Sequence, residues 1–255
     1  MPELTWFDPV AFHIGPIPIR WYALAYILGF VAAFYWAKHH YFIKHQLSLN
    51  LLDPFMNSMI VSMIVGGRLG HVIFYDWAYA LKDPVWVFKI WQGGMSFHGA
   101  LLGLAVGLWI FSYRQSLSFW LLSDFVCIVA PWGIFFGRLA NFINGELVGR
   151  ITDVPWAVVF PMIDLMPRHP SQIYEAGVEG VLLGLLMWHL QKKDMSPGII
   201  TGVFMCAYAV ARFFMEYFRV PECPYGCFLG LDMGQQLSIC MLICGFLILM
   251  RKRNY

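Results

Sequence analysis

The sequence predicts an all-α integral membrane protein of about seven transmembrane helices, with a small outer cap built partly from short strands. Three observations lead there. Hydrophobic residues make up 60% of the chain and charged residues only 13%, mean hydropathy is +0.63, and bilayer-length apolar windows recur from end to end. Soluble domains carry about 25% charged residues, so a soluble fold of 255 residues would lack about half its polar coat. The formal net charge of +2 gives no basic footprint, and no nucleic-acid partner is expected. The opening MPELTWFDPVAF has no cation before Arg20, which argues for a retained first span rather than a cleaved signal.

A helix crosses the hydrocarbon core with about 20 mostly apolar residues. Four windows qualify without an acid, Lys or Arg: Trp21–Ala37, Ile90–Tyr113, Met195–Ala211 and Met233–Met250. Three more carry internal charges: Pro54–Tyr75 with Arg68, Leu117–Ile143 with Asp124 and Arg138, and Tyr174–Gln191 with Glu175 and Glu179. Seven spans put the termini on opposite sides of one polytopic domain covering residues 1–255. Lys38, Lys44, Arg114, Lys192, Lys193 and Arg251–Arg253 then fall together beside short loops. The positive-inside rule assigns that side, with the C-terminus, to the cytoplasm and the N-terminus to the outside. The longer outer loops run over about residues 76–89 and 144–171, and Ile151–Pro161 alternates enough to be a strand of the cap. Cys127, Cys206, Cys240 and Cys244 sit in apolar stretches and are expected to pack. Cys223 and Cys227 flank a short Pro-Gly loop, and on an oxidising face the sequence leaves both a disulfide and free thiols open.

Charges within spans are costly, about 2.5–3.5 kcal/mol for a central Arg on the insertion scale. In this topology Arg68, His98, Arg138, Arg212 and Glu216 all fall toward the outer ends of their helices, within about 10 Å of one interface at 1.5 Å per residue. Arginine stays charged and binds phosphate through a two-pronged fork, which suits an anionic lipid headgroup at that depth. The plainer reading is that these arginines snorkel or pair with Glu146, Glu175, Glu179 and Glu216. Two stretches sharpen the functional reading. GGMSFHGALLG puts a histidine at a helix entrance among glycines, which let a backbone or a lipid approach closely. GRLANFINGELVGR gathers two Arg, two Asn and a Glu where a span should be ending.

These runs, with RHPSQIYEA and YAVARFFMEYFR after them, resemble the prolipoprotein diacylglyceryl transferases of bacteria, from Ile19-Arg20-Trp21-Tyr22 to the tail. Ala100 departs from the family's His-Gly-Gly pattern by one methyl. The resemblance implies transfer of the diacylglyceryl group of phosphatidylglycerol to the lipobox cysteine of a prolipoprotein signal peptide, giving a thioether and glycerol phosphate. It implies that Arg138 holds the lipid phosphate, that Asn141 and Gly149 shape the site, and that Arg212 and His98 are catalytic. Tyr22, Glu146, Glu216 and Arg219 are implied as supporting residues. Phosphatidylglycerol is a substrate, and no cofactor or metal is expected. The implied location is the bacterial inner membrane, among membrane lipids, with the site toward the periplasm.

The residues fit that chemistry. The reaction breaks a carbon–oxygen bond, and fixed guanidiniums stabilise the charge gained by the departing phosphate monoester. The attacking thiol belongs to the partner and must lose its proton. His98 is the first choice of base, with Glu146 or Glu216 as alternatives, and a buried structural histidine is the bland reading. The competing class is an anion or lipid transporter, which predicts mid-membrane cations and an inverted repeat; neither is visible. An intramembrane protease lacks its nucleophile or metal motif.

Overall fold

The computed structural model describes residues 8, 10–15, 17–221 and 230–253; Cys223 and Cys227, and so the question of a disulfide between them, lie outside the described residues. The fold is mostly helical with small two-stranded sheets. Five helices are long and apolar enough to cross a membrane: Leu49–Phe74, Phe119–Asn144, Ser171–Leu190, Ile199–Phe218 and Met233–Arg251. The chain is thus a multi-pass membrane protein. The other two expected spans form helices of 16 and 18 residues, Trp21–Trp36 and Phe97–Arg114.

Two expected starts move. The window opening at Ile90 becomes α-helical only at Phe97, because Gly93 and Gly94 adopt φ of 86° and 77°. Ser96 then caps the new helix, its Oγ accepting the Gly99 N–H at 3.2 Å. The window opening at Met195 starts at Ile199, after Gly198 at φ 100°, and runs through Met215 rather than stopping at Ala211. Arg212 therefore lies within a helix. Of the strand expected over Ile151–Pro161, Val158–Val159 pairs as a strand with Pro167–Arg168, and Ile151 makes an isolated bridge to Arg168. A hairpin of Val10–Ile14 and Ile17–Arg20, not expected from sequence, precedes the first helix. Cys127 is buried, but Cys240 and Cys244 are exposed rather than packed.

The chain divides into two compact units, residues 34–123 and residues 1–33 with 124–255. The unit of residues 34–123 is built on a glycine seam. Gly66 and Gly70 lie against Gly103 and Gly99 so closely that a Cβ on Gly66 would come 2.6 Å from Gly103 Cα, and one on Gly103 would come 2.7 Å from Gly66 Cα. Four-residue spacing of small residues lets two helix backbones touch where no hydrophobic effect drives them together. Gly99 thus serves helix packing. Ala100, the departure from the family pattern, fits because its methyl sits beside Gly67. Phe42, Phe55 and Phe111 fill the seam's far end, with centroids 6.3 and 5.3 Å apart.

The other unit uses the same device between Gly202 and Gly245, where added Cβ atoms would meet Leu249 and Cys206 at 2.8 Å. Asp124 reaches from the Phe119–Asn144 helix to cap the Ile199–Met215 helix. Its carboxylate accepts from the Gly198 and Thr201 backbone N–H groups at 2.7 and 2.8 Å and from the Thr201 hydroxyl at 2.6 Å. Asp232 and Gln235 form a reciprocal capping box on the last helix, at 3.0 and 3.3 Å. Asp124→Ala strips three bonds from one buried helix start and is expected to lower stability by about 2–3 kcal/mol. Unfolding of the detergent-solubilised protein measures this, with Asp124→Asn intermediate; an unchanged transition would show that the cap contributes nothing.

Candidate active site

Three membrane helices bring their charges to one place. Arg138 lies near the end of the Phe119–Asn144 helix, Glu175 and Glu179 near the start of Ser171–Leu190, and Arg212 and Glu216 near the end of Ile199–Phe218. A π-helical stretch, Ala176–Leu182, begins right after Glu175 and contains Glu179. Such wide turns are rare and re-aim side chains at functional sites. Arg138 meets Glu175 at 2.7 Å through Nε and Glu179 at 3.3 Å through Nη2. Arg212 Nη1 lies 3.1 Å from Glu175 and 3.7 Å from Glu179, and its Nη2 lies 2.5 Å from Glu216. Arg219 Nη1 completes the set, 3.6 Å from Glu175. Tyr208, one turn before Arg212, lies in the field of Arg138, Arg212, Glu175 and Glu179.

Exposure differs across the network, and Arg219, at 5%, is as buried as the carboxylates. The side chains of Arg138 and Arg212 keep 14% and 13% exposure, whereas those of Glu175, Glu179 and Glu216 keep 1%, 0% and 4%. The partial exposure in this network thus belongs to Arg138 and Arg212. The Arg138 contacts use Nε and Nη2, so its Nη1 edge takes no part in them. This layout can grip an anion with preset donors.

Beside this network the GRLANFINGELVGR run makes a Schellman turn. Gly145, at φ 66°, donates to Phe142 O at 3.1 Å, and the Glu146 N–H reaches Asn141 O at 3.0 Å. The motif normally joins its two flanking side chains, here Asn141 and Glu146, by an apolar contact. Here a polar bridge replaces it: Asn141 Nδ2 donates to the Tyr22 hydroxyl, which donates to Glu146 Oε2 at 3.1 Å. Gln172, fully buried, donates to Glu146 O at 2.6 Å and ties this turn to the Glu175 helix. Residues 148–150 then run antiparallel to 218–220, with Gly149 bridged to Arg219. The Arg150 N–H donates to Phe218 O at 2.9 Å and Arg150 Nε to Arg219 O at 2.7 Å. A Cβ on Gly149 would come 2.8 Å from Phe218 O and 2.7 Å from the His169 Cβ, so no side chain fits there.

In the unit of residues 34–123, Arg68 is buried and spends its donors on carbonyls of Trp86, Val87, Gly93 and Gly94. It is a loop clamp, not a presented cation. His98 is half-buried in the first turn of its helix. Within the larger unit, then, the expected Arg138, Arg212, Glu216 and Arg219 join one network and Tyr22, Asn141 and Glu146 another, with Gly149 stitched between them. The plainer reading of Arg138 and Arg212, pairing with Glu175, Glu179 and Glu216, is what their contacts show. Glu175, Glu179 and Gln172 carry the site and were missing from the residues assigned to it. Two acids inside an apolar span were the signal for the glutamates.

Outside the spans, Arg168 secures the Gly149 loop by donating to Gly149 O at 3.0 Å. Arg168 also holds the Asp164 carboxyl below the usual carboxylate range, chiefly by its hydrogen bonds, and Asp164 raises Arg168 in return.

The family model for prolipoprotein diacylglyceryl transferase matches residues 9–251. A Rhizobium leguminosarum bv. trifolii protein named phosphatidylglycerol–prolipoprotein diacylglyceryl transferase is 45% identical over 262 residues, covering 97% of this chain and 92% of the relative. Relatives of the same name are 43% identical in Idiomarina loihiensis, over 97% of this chain and 94% of theirs, and 43% identical in Legionella pneumophila strain Lens, over 96% and 97%.

Glu175→Ala leaves three guanidiniums without their shared carboxylate and is expected to cost about 3–5 kcal/mol, as for breaking a buried pair. A loss under about 1 kcal/mol in detergent unfolding would mean that Glu175 does not hold them. At Asp164 the folded-state pKa is depressed. Its contribution is therefore present above the ordinary carboxylate value near 4 and lost as pH falls through the lower, folded value. Amide exchange at Thr152, Arg168 and His169 should quicken over that acid range after correction for intrinsic rate, and Asp164→Asn should abolish the pH dependence. A wild-type profile that stays flat would remove the ion pair from the loop's support.

Proposed function

The chain belongs to the prolipoprotein diacylglyceryl transferase family, and from that premise we propose how its residues carry out the transfer. It is a membrane-embedded transferase whose substrates are phosphatidylglycerol and a prolipoprotein. The acceptor in this reading is the lipobox cysteine of the signal peptide. Its thiol proton goes to His98, the thiolate sulfur attacks the diacylglyceryl carbon that bears the phosphate ester, and the carbon–oxygen bond breaks. The electron pair leaves with glycerol phosphate, and the lipid remains on sulfur as a thioether. Because the bond broken lies at carbon, the proposal calls for no metal at phosphorus.

One observation supports this reading above the others: two guanidiniums from separate helices share the same pair of buried glutamates and keep the partial exposure that those glutamates lack. The phosphate gains negative charge as it departs. Donors already fixed by Glu175, Glu179 and Glu216 stabilise it without reorganising. Arg138 and Arg212 are the phosphate grip, and Arg219, Glu216, Tyr22, Asn141, Glu146 and Gly149 hold its surroundings. The transporter alternative has no support from the family.

Seven spans are proposed in place of the five that meet the length and hydropathy requirement. Trp21–Trp36 continues without a break through Ala37–Tyr41 and Phe42–Lys44, an unbroken helical run of about 36 Å at 1.5 Å per residue. Phe97–Arg114 spans about 27 Å by the same rise. With seven spans the basic loops face the cytoplasm of the bacterial inner membrane, and the Arg138 end and its cap face the periplasm.

The test is transfer of labelled diacylglyceryl from phosphatidylglycerol to a lipobox peptide, with glycerol phosphate release followed in parallel. Arg138→Ala, in protein that still folds, should lose about 100- to 1000-fold of kcat/KM. Wild-type rates from folded Arg138→Ala would take Arg138 out of the site.

A further inference from the structure

We propose that Arg68 is a positioning residue for His98: its guanidinium fixes the turn from which the His98 helix starts. This rests on the reading of His98 as the base.

Arg68 sits on the Leu52–Phe74 helix and is 3% exposed, yet among the described residues no carboxylate pairs with it. Carbonyl dipoles carry its charge instead. Nε donates to Val87 O at 2.9 Å, Nη2 to Trp86 O at 2.6 Å, and Nη1 to Gly93 O and Gly94 O at 2.6 and 3.1 Å. The guanidinium carbon, Cζ, lies over the Trp86 ring, 4.1 Å from its centroid. All of these bonds go to the loop that enters the next helix, and none to that helix itself.

The clamp reaches almost to His98. Next to Arg68, Gly67 O accepts the Ser96 N–H at 2.9 Å, so residues 67 and 68 hold the segment 93–96 from two sides. Ser96 is the cap of the helix that opens at Phe97, and His98 is its second residue. Gly94 is shaped to this contact. At φ 77° a Cβ on it would lie 2.8 Å from Arg68 Nη1 and 2.6 Å from the His71 ring. His71 is itself anchored to Asp76 at 2.9 Å. The glycine seam grips the His98 helix from Gly99 onward. Loss of the clamp therefore leaves helix packing in place and frees the entry turn with Phe97 and His98, which lie just ahead of the seam. A base displaced by about 1 Å loses up to about 100-fold in rate.

The experiment compares Arg68→Lys, Gly94→Ala, Trp86→Leu and His98→Gln, alone and with His98→Gln, in mixed micelles of phosphatidylglycerol with a lipobox peptide. Rates are taken per folded enzyme. Arg68→Lys and Gly94→Ala should lower kcat about 10- to 100-fold while KM for phosphatidylglycerol stays within about threefold. Each should add nothing to the loss in His98→Gln, because both act through the same imidazole. Trp86→Leu, which removes only the aromatic face, should lower kcat about two- to fivefold and show the same non-additivity. It decides the matter if the stronger variants do not fold. Losses that multiply in the double variants, a change confined to KM, or an unchanged kcat overturn the positioning role. An active His98→Gln enzyme instead overturns the reading of His98 as base, and the positioning role falls with it.

Discussion

The Glu175 carboxylate lies 2.7 Å from Arg138 Nε, 3.1 Å from Arg212 Nη1 and 3.6 Å from Arg219 Nη1, with almost no exposure of its own. Three guanidiniums packed this closely in a low-dielectric setting would repel strongly without it. With Glu179 and Glu216 added, three cations face three anions. Neutrality lets the cluster exist inside an apolar protein before any lipid arrives. It also means that an arriving phosphate is not drawn by surplus charge. In the proposed reading it is held by donors fixed in advance, and geometry takes the part that net charge plays at a protein surface.

That arrangement constrains the surrounding chain. Glu175 can serve arginines on two other helices only if its own helix starts at the same level, and Gln172, three residues earlier, sets that level through its bond to Glu146 O. The Glu146 turn is in turn a helix end with its usual apolar contact replaced by Asn141, Tyr22 and Glu146. An apolar pair there would have stabilised the turn as well. The polar substitute places hydroxyl, amide and carboxylate together beside the arginines, which suits the polyol end of a phosphatidylglycerol headgroup. Leu147, at φ 54°, shows that the turn is bent tightly enough to force a non-glycine residue into the left-handed region.

Helix existence was legible because an apolar run of bilayer length must satisfy its own backbone, and within one segment only a helix does so. All seven expected windows are helical over most of their length. The convergence of Arg138 with Arg212 was legible too, from depth alone. Helix starts were less so, since Gly93, Gly94 and Gly198 act through positive φ, and hydropathy averages straight across them. The π-helical turn beginning at Ala176 leaves no periodic trace that a window can register. The hairpin of residues 10–20 hides in a stretch whose alternation is blunted by Pro16 and Pro18. Arg68 was misplaced for an instructive reason. Its depth matches that of the presented arginines, and only the carbonyls of a loop 18 to 26 residues away tell the two kinds apart.

The protein therefore keeps a buried guanidinium in two ways, and the difference in partner decides the difference in use. Carbonyls are weak dipoles, so Arg68 needs four of them and an aromatic face, which leaves its fork occupied. Carboxylates carry full charge, so Arg138 is held by two of them through Nε and Nη2 and has an edge to spare. A guanidinium satisfied by dipoles is a structural pin. One satisfied by buried charge through Nε and one Nη keeps its other Nη outside those contacts, as rigidly placed as the carboxylates that pin it. An enzyme that must grip a lipid phosphate while a carbon–oxygen bond breaks needs the second kind where the phosphate sits, and the first kind wherever a loop must stay still.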